Sequence, residues 1–279
     1  MTAPITVVGD PRTVDPYAEP ERASSVRFLY ALNPLVKLGA PLPTMVLLVF
    51  VRDLATPAAF VLLSFAILVV GVRFTARLAA LLVALPLAAA VVGIGFSIWT
   101  DPARVDHTAA LLQVGGWTLY AGALETGLAT GLRLAAIVAL TLIAGLSTTG
   151  PDFVRAAVQH LRVPYRIGYT ALAAFRFVPR FAYELDVIRQ AHRVRGAHGR
   201  RGPFAAAARW FGYVVPLLAG AIRHAERVAL AMDARAFGAH PDRTERHLVP
   251  LRARDLVFTL ALWAASAAIF WTFFPRGWD

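Results

Sequence analysis

The run from Leu54 to Val72 contains no charged side chain, and four other runs along the chain come close to that. A helix of such length rises about 28 Å, near the ~30 Å hydrocarbon thickness of a bilayer. The runs lie at 35–51, 54–72, 78–99, 128–147 and 256–274. With 58% apolar residues among 279 and a mean hydropathy of +0.59, the chain is too apolar for an ordinary soluble domain. The expected fold class is all-α, a polytopic membrane protein of about five transmembrane helices. Pro34, Pro41 and Pro43 should kink the first run or delay its start. The stretch 111–124 is short and holds Gly115, Gly116 and Gly122, so it is expected to be re-entrant or interfacial. Residues 1–32 carry Pro4, Pro11, Pro16 and Pro20 with mixed charges and no apolar h-region. They are expected to be a disordered cytoplasmic tail, ahead of transmembrane helices over 33–149.

Charge is concentrated in one place. Between Gly150 and Asp255 there are 18 arginines and 8 acids, a net of +10 out of +11 for the whole chain. This segment, 150–255, lies between the last two apolar runs, with 256–279 as the final span and a short tail. A sequence pI near 11 raises nucleic acid as a partner. The tendency of cytoplasmic loops to collect basic residues explains the charge at least as well. The 73–77 loop holds Arg73 and Arg77, the 52–53 loop is neutral, and Thr100 to Gly127 is net −2. One orientation satisfies these signs: N-terminus inside, 150–255 inside and C-terminus outside.

Within 150–255 the pattern turns helical. Pro151 and Asp152 open a short helix that Pro164 stops. From Ile167, Leu172, Phe175, Val178, Ala182, Leu185, Ile188 and Ala191 mark one apolar stripe, with Pro179 expected to bend the helix. After Pro203 a short helix is expected, and Pro216 then opens or kinks a long one. Its stripe is Leu218, Ile222, Ala225, Val228, Ala229 and Met232, which should pack on the neighbouring helix. Arg195-Gly196 and Arg235-Ala236-Phe237-Gly238 close the two long helices. Arginine before glycine suits a helix C-terminus for structural reasons alone.

Several chemistries lack their residues. Lys37 is the only lysine and has no phosphate-loop glycines before it, so ATP hydrolysis by this chain is not expected. There is no Gly-x-Ser-x-Gly elbow, and the seven histidines show no metal-binding pair, so no catalytic residue, cofactor or metal site is assigned. The histidines are expected at the surface or at headgroup level. Glu125 and Arg133 are the nearest candidates for charge within a span. Cysteine is absent.

Three groups of residues resemble the transmembrane T subunit (EcfT/CbiQ-like) of energy-coupling factor transporters. The first is Ala174-Phe175-Arg176-Phe177-Val178-Pro179, followed by Glu184-Leu185 and Gln190-Ala191-His192-Arg193-Val194-Arg195-Gly196. The second is Pro216-Leu217-Leu218, then Arg223-His224-Ala225-Glu226-Arg227, then Ala229 through Asp233 to Arg235-Ala236-Phe237-Gly238. The third is Asn33-Pro34-Leu35-Val36-Lys37 at the entry to the first span. With Leu161-Arg162-Val163-Pro164, the resemblance covers about 33 to 274. The two arginine motifs depart from Ala-Arg-Gly, reading Val-Arg-Gly and Ala-Arg-Ala, with Gly238 two residues later in the second.

The resemblance implies a non-catalytic scaffold in the bacterial plasma membrane. Such a subunit joins two cytoplasmic ABC ATPases to a small membrane substrate-binding (S) subunit, for vitamin or transition-metal-ion (cobalt, nickel) uptake. It implies ATPase docking by Arg195, Gly196, Arg235 and Gly238. Arg176, Pro179, Glu184, Arg193, Pro216, Arg223, Glu226 and Asp233 would support those coupling helices. Partners are then the ATPases, the S subunit and the lipid bilayer, with no nucleic acid. The small residues Ala88, Ala89, Ala90, Gly93 and Gly95, with Ala129, Gly131, Ala135, Ala136 and Ala139, suit close helix packing and are a candidate S-subunit contact. The alternative is a membrane-anchored basic helical protein binding nucleic acid or anionic lipid.

Overall fold

In the computed structural model, residues 27–100, 110–114, 117–195, 203–241, 244–245 and 247–273 are described. Most of the expected tail, residues 1–26, lies outside them, as do Gly196 and the Gly199–Gly202 turn with Arg200 and Arg201. The chain divides into two compact units. One lies within Ala23–Ala156 and Val249–Asp279, the other within Ala157–Leu248.

The first unit begins with a 3-10 turn, Phe28–Ala31, whose Leu29 is buried. Helices α1 (Pro34–Gly39) and α2 (Leu42–Phe50) follow. Pro41 separates them, because a proline has no N–H to continue the ladder. Trp263 closes the break by donating its indole N–H to the Ala40 carbonyl at 2.9 Å. Next come α3 (Ala55–Gly71), α4 (Ala76–Trp99), α5 (Ala121–Ser147) and, at the chain's end, α9 (Ala253–Phe273). Three of these, α4, α5 and α9, are long and apolar enough to cross a membrane; the helical stretch 34–50 and α3 are shorter. Half of α5's apolar stretch is buried, against 17% for α4 and α9, so α5 is the central helix. It packs against α1, α2, α3 and α4. Leu48, Phe60, Leu68, Leu140 and Ile143 form the core around it, and Phe60 meets Phe270 of α9 at 5.2 Å.

The stretch expected to be re-entrant or interfacial forms a short antiparallel pair, β1 (Ala110–Val114) with β2 (Trp117–Tyr120), leading straight into α5. Strands of this length are too short to span, which takes about ten residues. The α4–α5 contact shows the close packing expected of the small residues, with a partner inside the chain. A Cβ on Gly131 would lie 2.2 Å from the Ala89 carbonyl oxygen, and one on Gly127 2.4 Å from that of Gly93. The two backbones therefore touch, and Ala89, Gly93 and Gly131 are spent inside the bundle rather than offered to a partner. Gly95 faces open space.

The second unit is a helical hairpin. Helix α6 (Gly150–His160) leads into it and starts with Thr149 and Asp152 bonded reciprocally, the Asp152 N–H to Thr149 Oγ1 and the Thr149 hydroxyl to the carboxylate. Helix α7 (Tyr165–Val194) runs unbroken through Pro179. Helix α8 (Pro203–Asp233) runs unbroken through Pro216, so the two helices expected on either side of that proline are one.

Candidate functional site

Four contacts along α7 and α8 define an antiparallel seam. Tyr165 meets Phe237 edge-on at 5.7 Å, Phe177 meets His224 at 4.5 Å, and His192 meets Tyr213 at 5.2 Å. Between the last two, Glu184 Oε2 lies 3.2 Å from where a Cβ on Gly220 would stand. Partners advance along α7 as they recede along α8. The seam therefore uses aromatic, histidine and glycine positions, and His192 and His224 are packing residues rather than surface ones. The expected apolar stripe does not close it. Phe175, Val178, Leu218 and Ile222 stay 47–63% exposed. They sit one or two positions off the seam, so these members of the stripe stay exposed while Leu172, Leu185, Ile188, Val228 and Met232 are part-buried.

Arg235 is fixed by the way α8 ends. The Phe237 N–H donates to the Met232 carbonyl at 3.0 Å and the Ala236 N–H to that of Asp233 at 2.9 Å. Ala236 adopts φ +56°. These are the two bonds and the left-handed residue of a Schellman ending, with Arg235 at the C-cap. Alanine thus occupies the position usually held by glycine. Gly238, expected to be the breaker, comes two residues later with φ +89°. There it serves a different purpose. Arg166 of α7 donates its guanidinium to the Gly238 carbonyl, and a Cβ would lie 3.1 Å from Arg166 Nε. The Tyr165 hydroxyl donates to the His240 carbonyl at 2.7 Å, and the Tyr169 hydroxyl to the Glu245 carboxylate. An open cavity of about 370 Å³ results, lined by Tyr165, Tyr169, Met232, Phe237 and His240, with Arg235 on its wall. Arg235 itself is exposed. Tyr165, Arg166 and Tyr169 were missed by sequence reasoning. Their signal was a cluster of long polar-tipped side chains on the first turns of α7, directly after Pro164.

Arg195 is the C-cap of α7, its N–H donating to the Ala191 carbonyl at 3.1 Å, and it too is exposed. Gly196 lies outside the described residues. The structure does not bring the two arginines together. Arg235 lies beside the first turns of α7 and Arg195 at its far end, about 40 Å away at 1.5 Å per residue. Of the supporting residues, Arg176, Pro179, Arg193, Pro216, Arg223, Glu226 and Asp233 are exposed. Glu184 is held between Arg180, at 3.3 Å, and the α8 backbone at Gly220. It is a seam residue.

A unit with, among the described residues, three helices long and apolar enough to cross a membrane, followed in the chain by a basic helical hairpin, defines a multi-pass membrane protein. The chain belongs to the CbiQ family, described as cobalt transport protein, whose model matches residues 25–246. It is similar to the energy-coupling factor transporter transmembrane protein EcfT of Bacillus subtilis, 26% identical over 57% of this chain and 63% of that one. The EcfT of Thermotoga maritima is 31% identical over 52% and 56% respectively. A putative ABC transporter ATP-binding protein of Bifidobacterium longum is 32% identical over 52% of this chain and 20% of its own length. The matches thus span 56–63% of the length of these EcfT relatives.

Proposed function

We propose that the chain is the scaffold subunit of an energy-coupling factor importer, seating two cytoplasmic ATPases on Arg195 and Arg235 and itself performing no catalysis. The observation that carries this reading is the end of α8. The backbone of Arg235 is held at a Schellman turn, with the following residues braced by Arg166 and Tyr165, and its side chain is exposed beside an open cavity. An arginine on a fixed helix end can make several charge-assisted hydrogen bonds to carboxylates or carbonyls in a partner's groove. Arg195, exposed at the C-cap of α7, offers a second helix end about 40 Å along the hairpin, a separation suited to two seats rather than one. The Bifidobacterium relative gives independent support. A stretch resembling this chain makes up only 20% of a protein named for ATP binding, which leaves most of that chain for the nucleotide-binding part.

The remaining parts follow from this reading. Residues 150–255 form a cytoplasmic coupling domain, the N-terminus is inside, and a small membrane S subunit selects a vitamin or transition-metal ion. The exposed Phe175, Val178, Leu218 and Ile222 are surface for a membrane-embedded partner of that kind. Co-expression with ABC ATPases from the same genome is the test. The ATPases should co-purify with the solubilised chain and stay bound in 0.5 M salt, roughly where exposed ion pairs are screened. Loss of the ATPases at that salt, with retention of anionic vesicles or nucleic acid at low salt, would favour the alternative reading.

A further inference from the structure

The residues 157–248 join the rest of the chain at two points, and one buried polar junction holds the chain near both. Asn33, Lys37, Ser147 and Asp255 are 2%, 2%, 5% and 3% exposed, within a unit whose core is otherwise largely apolar. Lys37 Nζ donates to the Ser147 carbonyl at 2.7 Å. Ser147 is the last residue of α5, so its carbonyl has no partner within the helix, and the ammonium meets the negative end of the helix dipole. This is the way into the 157–248 unit, through α6. The way out is tied to Asn33, at the start of the same helix as Lys37. Asn33 Nδ2 donates to the Val249 carbonyl at 3.1 Å. The Asp255 carboxylate accepts the Asn33 N–H and the Arg252 N–H, each at 2.7 Å. Asn33 also caps α1 by accepting the Leu35 N–H at 3.0 Å.

Stability alone does not ask for this. A buried lysine and aspartate carry a desolvation penalty that well-packed apolar side chains avoid. What the polar groups add is a fixed geometry. Each bond has one donor, one acceptor and one direction, and they converge from α1, α5 and the lead into α9. We propose that Asn33, Lys37 and Asp255 are positioning residues that lock both chain crossings to α1. A displacement of the 157–248 unit is then delivered to α1, α5 and α9 together and is not lost as slack at the crossings. That ATPases drive such a displacement rests on the function proposed above; the lock itself does not.

The chain has no cysteine, so a spin-label pair can be placed cleanly. Gly145→Cys faces open space on the last turn of α5, and Leu251→Cys is on an exposed residue before α9. Neither takes part in the junction. In lipid nanodiscs the wild-type background should give one narrow distance. Lys37→Met keeps the bulk and removes the donor, and Asn33→Ser keeps a helix cap but cannot reach Val249. Both should split or broaden the distribution. Thr44→Val, which breaks the buried Thr44–Ser266 hydrogen bond of α2 and α9, is the control for a general loosening and should leave it narrow. With co-purified ATPases present, magnesium-ATP should leave the wild-type distance narrow and spread that of the variants. Wild-type widths in both junction variants, or equal broadening by Thr44→Val, would overturn the proposal and leave ATPase docking untouched. Failure of the wild-type chain to hold ATPases would count against the docking reading, while the nanodisc distances would still decide the lock.

Discussion

Ala236→Gly should tighten the end of α8 and Gly238→Ala should loosen it, although each change is the reverse of the other in composition. Ala236 has φ +56°, where an L-residue with a Cβ carries about 1–2 kcal/mol of strain. Glycine removes that strain and costs about 0.5–1 kcal/mol in chain entropy, so roughly 0.5–1 kcal/mol of stability remains as the gain. At Gly238, with φ +89°, alanine takes on the strain instead. Its Cβ would also press on Arg166 Nε at 3.1 Å and disturb the bond to the Gly238 carbonyl. The loss should be about 1–2 kcal/mol after the entropy term is returned. Hydrogen exchange of residues 232–240 in the nanodisc-bound chain reads these as local opening. Exchange should slow about two- to five-fold in Ala236→Gly and quicken about five- to thirty-fold in Gly238→Ala. Faster exchange in Ala236→Gly would refute the Schellman ending, and with it the argument that the backbone of Arg235 is held there.

Other outcomes follow from the same geometry. Gly131→Leu puts a side chain into the Ala89 backbone, so α4 and α5 must separate at a cost above about 3 kcal/mol, seen as a lost or sharply lower thermal transition; Gly95→Leu, in open space, should be silent. Accessibility mapping of single cysteines should place residue 100 outside and residue 200 inside, and the reverse would remove the cytoplasmic assignment of 150–255. Titration calorimetry of the purified chain alone with cobalt, nickel or vitamins should show no binding, and a tight affinity would contradict a scaffold that leaves selection to another subunit.

The sequence carried the apolar runs, the basic segment and the two arginine-ended helices plainly, because hydrophobic length and helix-end chemistry are local. It also carried a signal that went unread. Gly115-Gly116 between Leu111–Val114 and Trp117–Tyr120 is a two-residue hairpin loop in pattern, and the strands on either side pair. Pro216 does not end a helix here, since residues on both its sides remain helical over 31 positions. What periodicity could not tell was which face of α7 and α8 meets the other. The apolar stripe was the natural choice, yet the seam runs through Phe177, Glu184 and His192, and Phe175, Val178, Leu218 and Ile222 of the stripe stay exposed. A face that is apolar and uncovered in the isolated chain reflects contacts outside it, which no local pattern encodes. The small residues of α4 and α5 pose the same problem in reverse, since their partner was internal.

If Arg195 and Arg235 are two separate seats for ATPases, charge reversal at each should weaken ATPase binding to the chain. Arg195→Glu, Arg235→Glu and the double change should insert in the membrane as the wild type does, since both side chains are exposed. Losing a desolvated arginine contact costs about 2–5 kcal/mol, so each single change should weaken ATPase binding about thirty-fold or more. With the sites about 40 Å apart, the effects should add, and the double change should abolish recovery. Arg200→Glu with Arg201→Glu should change little if the seats are specific. Equal ATPase recovery from the wild type and the Arg195→Glu/Arg235→Glu chain, or an equal loss from all four arginines, would contradict the account.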